Sequence, residues 1–177
     1  LVLINIELNK VGAPKNLIQT FDCDVTKELT NELMENVDLV IVTGSLNNVK
    51  KAAKSGSKAI GVGQGNVTSI VDETADLEDA FKKIKMSKTF DNATSCSSEN
   101  NLILIEDIYE KSINLLSKEN AVLLNKNQKE VLQKNLWLDG KLNRKIIAKS
   151  AKFISNELNL KVSEDVQILM VEEHGVG

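Results

Sequence analysis

Two side chains in this 177-residue sequence are thiols, and they sit in opposite chemical settings. Cys96 lies in "KTFDNATSCSSEN", flanked by Thr94, Ser95, Ser97 and Ser98, whereas Cys23 lies in "TFDCDVT" between two aspartates. A thiol attacks as its thiolate. With a free pKa of about 8.5, only a few per cent is ionised at neutral pH, so a nucleophilic cysteine needs nearby groups that favour the anion. Asp22 and Asp24 disfavour it by like charge, which assigns Cys23 to structure. Ser97 and Ser98 suit a helix start, and the free N–H groups of such a start would stabilise a thiolate at Cys96. The residues alone leave a second reading open, in which Cys96 is an inert small side chain. Asn92 and Glu99 flank the thiol and read as support that orients it or caps its helix.

The other candidates are glycines. In "VTGSLNNV", Val42 to Val49, a strand-like run meets Gly44 and Ser45 ahead of a helical stretch. Glycine lets a phosphate approach the backbone, and the N–H groups opening a helix attract its charge. An ordinary strand-to-helix turn is the alternative. Gly61, Gly63 and Gly65 in "GVGQGN" form a second bare stretch; with no Lys-Ser/Thr pair following, a P-loop is not expected. His174 is the sole histidine, so the sequence assembles neither a histidine-based triad nor a multi-histidine metal site, and no metal is expected. A surface role suits it.

These residues must be held by regular elements. Leu3, Ile6 and Leu8 predict an opening helix stopped by Gly12-Ala13-Pro14. "NLIQTF" predicts a strand, and "TKELTNELMENV" a helix with Leu29, Leu33 and Val37 inward and Glu28, Glu32 and Glu35 in solvent. The unbroken apolar run "DLVIVTGS" predicts a strand buried on both faces. "NNVKKAAKSG" predicts a helix with Val49, Ala52 and Ala53 inside, "KAIGVGQGN" and "TSIVDE" predict strands, and Leu77, Ala80, Phe81 and Ile84 mark an amphipathic helix before the cysteine loop. Beyond it, "NLILIED", "AVLLN" and "VQILMVEE" read as strands, and "IYEKSINLLSKEN", "NQKEVLQKNLW" and "SAKFISNELNL" as helices. Strands alternating with helices predict an α/β fold with mostly parallel sheets. No internal repeat and no Gly/Ser/Pro-rich linker appears, so any domain boundary is tight. The chain opens inside a helix and closes just past a strand; both ends read as cut, and a longer protein is expected.

Composition narrows the class. The net charge is −3 with scattered basic residues, which excludes a cationic nucleic-acid surface. No apolar run reaches the roughly 18–20 residues of a membrane span. Two cysteines without framework spacing fit free thiols in a reducing, cytoplasmic compartment.

Several stretches, in order, resemble the aldehyde dehydrogenase superfamily: "VTGSLNNVKKAAKSGSKAIGVG", "AIGVGQGNVTSIVDETADLEDA" and "FDNATSCSSEN". "GAPKNLIQ", "LWLDGKLNRKIIAKSA" and "MVEEHGVG" are similar to its coenzyme-A-acylating branch, which acts on acetaldehyde, succinate semialdehyde and sulfoacetaldehyde; the cysteine loop and the tail are most like the sulfoacetaldehyde members. The resemblance implies part of a Rossmann-like cofactor domain over residues 1–65, followed by part of an α/β catalytic domain over 66–177. It implies Cys96 as nucleophile, contacts to NAD or NADP from Gly44, Ser45, Val49, Gly61 and Gly63, an aldehyde substrate, coenzyme A as co-substrate, and a homo-oligomeric full-length enzyme. Hydrolytic members carry "ELGGK" where this chain has "VGQGN", and gapless alignment puts Val62 at their general-base glutamate. Water needs such a base, because its pKa is near 15.7. A coenzyme A thiol, itself easily ionised, does not. Acyl transfer to a thiol is therefore expected. A hydrolytic member, or a non-enzymatic module binding a nucleotide or a partner, are the alternatives. A flavodoxin-like domain fits the alternation but leaves the cysteine loop unexplained.

Overall fold

A computed structural model describes residues 1–174, so the last three residues of the "MVEEHGVG" tail lie outside the described part. The chain divides into two compact units, Leu1–Gln64 and Gly65–Gly177.

The first unit contains α1 (Val2–Lys10), α2 (Lys27–Glu35), β1 (Leu39–Thr43), α3 (Leu46–Lys54) and β2 (Lys58–Val62). β1 and β2 run parallel, with Leu39 opposite Lys58 and Thr43 opposite Val62, as expected when a helix connects them. Alternation along β1 buries Val40 beneath α3, whose Ala52 is fully buried and whose Val49 is half-buried. The other face carries Leu39, Ile41 and Ile60, with Ile41 72% exposed. Burial on both faces, expected from the apolar run, is thus not what this unit shows. α3 covers one side, and no described element of the unit covers the other. Ala53 and Leu33 are likewise exposed, because α3 and α2 each turn a narrower stripe inward than their spacing suggested.

The expected strand at Asn16–Phe21 is absent. Those residues form turns and bends: Asn16 takes φ 63°, and the Gln19 amide donates to the Asn16 carbonyl at 3.0 Å. A short apolar run becomes a strand only beside a partner, and among the described residues β1 and β2 pair only with each other.

The second unit contains β3 (Val67–Val71), α4 (Leu77–Thr89), a 3-10 turn (Phe90–Ala93), β4 (Glu99–Leu104), a further 3-10 turn (Glu106–Ile108), α5 (Tyr109–Lys118), β5 (Ala121–Leu123), α6 (Lys126–Leu136), β6 (Trp137–Leu138), β7 (Lys141–Leu142), α7 (Ala151–Glu157) and β8 (Ile168–Met170). β3 pairs with β4 and β5 with β8, both parallel. β6 and β7 form an antiparallel hairpin that the sequence reading passes over. Asp139-Gly140 closes it with φ of 51° and 69°, the two left-handed residues that a tight hairpin turn requires. Val71, Leu77, Phe81, Ile108, Leu116, Ala121 and Ile168 form the core. The i, i+4 pair Leu77 and Phe81 places α4 against it, as the spacing predicts. No helix among the described residues is long and apolar enough to cross a membrane.

Candidate active site

Cys96 lies on the connection from α4 to β4, and each end of that connection is fixed by local chemistry. α4 starts at Asp76, whose side chain accepts from the Asp79 N–H at 3.2 Å, and it ends where Phe90 turns to extended backbone. The next three residues, Asp91, Asn92 and Ala93, have φ of 47°, 52° and 60°. Left-handed backbone costs an L-residue roughly 1–2 kcal/mol, least for Asn and Asp, so Ala93 is the most strained of the three. The turn is tied down: Asn92 Nδ2 donates to the Ala148 carbonyl at 3.3 Å, and the Thr94 N–H and hydroxyl both donate to the Asp91 carbonyl.

The nucleophile candidate follows in a tight turn, where the Ser98 N–H donates to the Ser95 carbonyl at 3.1 Å. The Ser95 and Ser97 hydroxyls are 2.8 Å apart, and the Ser97 N–H donates to Ser95 Oγ. Cys96 sits inside this turn, exposed and free. Its backbone N–H has no acceptor among the described residues. The helix start expected at Ser97 and Ser98 is not there. The chain passes instead into β4 at Glu99, because the apolar run after it is taken by pairing with β3, and Ser95 and Ser97 hold the turn.

One residue that the sequence reading left out of the site is fixed by Cys96 itself. A side chain on Gly65 would lie 2.1 Å from the Cys96 carbonyl oxygen and 2.9 Å from its carbonyl carbon, both backbone atoms, so only glycine fits. The pairing beside it is irregular. Val67 faces Glu99 but Thr68 faces Asn101, which leaves Asn100 as an extra residue in β4. Bulges of this kind re-aim a side chain. Asn100 Nδ2 donates to the Gly65 carbonyl at 3.5 Å, while its Oδ1 accepts from Lys88 Nζ at 3.3 Å. Asn101 Nδ2 donates to Asn66 Oδ1 at 3.0 Å. Lys88 is half-buried; desolvation pulls its ammonium below the usual lysine value, and the Glu99 carboxylate opposes that pull. Ser98 Oγ and Glu99 Oε2 are buried without a hydrogen-bond partner among the described residues. An open cleft of about 440 Å³, walled in part by Lys88, Asn92, Ala93 and Lys149, runs beside the loop.

In the first unit, the carboxyl ends of β1 and β2 bring the glycine candidates together. The Gly44 N–H donates to the Val62 carbonyl at 3.2 Å with φ 118°, a conformation that favours glycine. Ser45 caps α3, its Oγ accepting from the Asn48 N–H at 3.3 Å. The N–H groups of Leu46 and Asn47, opening the helix, have no intrahelical acceptor. A Cβ on Gly44 or Gly63 would meet open space, whereas one on Gly61 would lie 2.5 Å from Val49 Cγ1. Gly61 and Val49 thus have a packing role, seating α3 on β2. Val62 ends β2, 59% exposed and without a carboxylate. Cys23 is exposed on an irregular segment, so the structural role expected of it is not a core position; His174 is also exposed.

Residues 2–133 match the family model for the aldehyde dehydrogenase family. The chain is 43% identical over its full length to the sulfoacetaldehyde dehydrogenase (acylating) of Cupriavidus necator, and it spans 36% of that relative's length. Among solved structures, an acetylating aldehyde dehydrogenase from Geobacillus thermoglucosidasius superposes with a TM-score of 0.90 at 36% identity, covering 99% of this chain and 39% of that one. A Rhodopseudomonas palustris propionaldehyde dehydrogenase with bound CoA and an acylated cysteine superposes with a TM-score of 0.84 at 31% identity, covering 97% of this chain and 40% of that one. The α/β architecture with mostly parallel pairing and the similarity to acylating members agree, and the chain belongs to the aldehyde dehydrogenase family.

Proposed function

We propose that this chain carries the nucleophile and part of the dinucleotide site of a coenzyme-A-acylating aldehyde dehydrogenase, with residues 1–65 serving the cofactor and 66–177 the acyl chemistry. The observation that supports this best is an exposed Cys96 on a hydrogen-bonded turn whose own N–H is left without an acceptor. The Cys96 thiolate adds to the aldehyde carbonyl carbon, and the C=O π electrons move to oxygen. The Cys96 N–H donates to that oxygen as its charge develops, the role of an oxyanion donor. A nicotinamide dinucleotide, when bound, supplies the two-electron acceptor that turns the thiohemiacetal on Cys96 into a thioester. The residues at the strand ends fit such a cofactor. Gly44 and Gly63 leave the backbone bare, the opening N–H groups of α3 suit a phosphate, and the Ser45 hydroxyl keeps its proton to donate. Val49 and Gly61 shape that surface by their packing.

The second half-reaction transfers the acyl group from Cys96 to the thiol of coenzyme A, whose proton returns to the cysteine sulfur. Val62 offers no base for water at the position where hydrolytic members keep a glutamate. The similarity to the Cupriavidus necator enzyme favours a short aldehyde bearing a sulfonate. Two free, exposed thiols suit a reducing cytoplasm, and the uncovered apolar side of β1 and β2 suits burial in a larger, homo-oligomeric enzyme.

Aldehyde-dependent NADH or NADPH formation by the full polypeptide, with and without coenzyme A, tests this reading. Sustained turnover is expected only with coenzyme A, and Cys96→Ala abolishes it. Equal turnover without coenzyme A would return the chain to hydrolytic chemistry; no reduction of either dinucleotide under any condition would leave a binding module.

A further inference from the structure

We infer that Lys88 and Asn100 are a positioning pair for Cys96: Lys88 fixes the bulged Asn100, and Asn100 holds the Gly65 carbonyl so that the Gly65 backbone stays against the carbonyl of Cys96. This rests on Cys96 being the nucleophile. Three observations converge on it. The extra residue in β4 is Asn100, released from the strand alternation that would otherwise aim it to one face of the sheet. Its amide is used at both ends, donating to Gly65 at 3.5 Å and accepting from Lys88 at 3.3 Å. Gly65 in turn leaves no room for even a methyl group before the Cys96 backbone, so a shift of Gly65 is passed directly to the turn that carries the thiol.

Lys88 stands in the last turn of α4, and a cation there also interacts favourably with the carbonyls that end the helix. That simpler role differs in what it forecasts. A helix-end cation affects thermal stability and leaves chemistry alone. A positioning pair affects the chemical step, and its two members act as one unit. The ammonium is partly withdrawn from water, which a lysine serving only as a solvated helix end would not need.

The test is a double-mutant cycle on the full polypeptide with Lys88→Met, Asn100→Ala and the pair, read as kcat and KM for aldehyde and as the rate of iodoacetamide labelling of Cys96. Displacing a reacting group by about 1 Å costs up to about a hundredfold, so each single variant is expected to lower kcat about tenfold or more, with KM held within about twofold. The double variant is expected to lose no more than either single one, since both break the same link. Lys88→Arg, which keeps the charge and the donor, is expected to retain at least about a third of kcat, because it restores the contact to Asn100. Additive losses, or an unchanged kcat with a lowered Tm, would overturn the pairing. Should Lys88→Met fail to fold, Asn100→Ala and Lys88→Arg decide alone: an unaffected kcat in the first, or a loss in the second equal to that of Asn100→Ala, refutes it. Cys96→Ala is run beside them. If it abolishes turnover while the Lys88 and Asn100 variants keep an unchanged kcat, the nucleophile stands and the positioning pair falls; if Cys96→Ala is active, the nucleophile itself was wrong.

Discussion

Gly65 and Cys96 are distant in sequence but touch through their backbones, and this contact sets what the cysteine turn tolerates. A methyl group on residue 65 would meet a carbonyl that has no flexible side chain to swing aside. Gly65→Ala is therefore expected to displace the turn and cut kcat by about tenfold to a hundredfold while the core of the second unit stays folded. Steady-state assay together with near-UV circular dichroism checks both halves of that statement. Little of this was legible beforehand. The polar run around Cys96 marks it as a thiol that does not belong in a core. By contrast, Gly65 reads only as the third glycine of "GVGQGN", and nothing local says that its neighbour is the nucleophile candidate. The helix start expected after Cys96 failed for a related reason: Ser97 and Ser98 suit a helix cap and a turn equally, and only the pairing of β4 with β3 decides between them.

At the scale of elements, the helices were legible wherever a capping side chain preceded an amphipathic run. Ser45 before α3, Asp76 before α4 and Asn125 before α6 all accept from the N–H three residues on. Strands were legible where a partner exists, and Asn16–Phe21 failed because an apolar run carries no record of whether a neighbour is present. The Asp139-Gly140 turn dipeptide marks a hairpin, but its strands are two residues each and follow α6 directly, too short for an alternating pattern to show. The join of α3 to β2 offers a test at this level, because Gly61 carries two readings, packing and cofactor contact. Gly61→Ala is expected to cost about 1–3 kcal/mol by overpacking against Val49. Val49→Ala in the same chain is expected to recover much of that loss, since it removes the methyl that the new Cβ would strike. Urea denaturation of the four combinations gives the coupling directly. A coupling near zero would move Gly61 out of the packing role.

For the molecule as a whole, the residues proposed for the dinucleotide belong to one compact unit and the proposed nucleophile to the other, so the proposed reaction would draw on both. Apolar side chains such as Ile41, Ile60, Ile70 and Ile103 are exposed in this stretch, as expected where a parallel sheet is covered on one face only. The alternation of strands and helices made the α/β class legible, because a parallel pair requires a crossover and the crossover helices are amphipathic. What the alternation does not encode is the proposed chemistry, which would depend on one sulfur and on what removes the acyl group from it. The most direct measurement is mass spectrometry of the Cys96 peptide after the full polypeptide has been given aldehyde and oxidised dinucleotide without coenzyme A. The expected result is an acyl group on Cys96 that persists in buffer and leaves as acyl-coenzyme A when coenzyme A is added. An unmodified Cys96 during turnover, or an adduct lost as fast to water as to coenzyme A, would contradict the account.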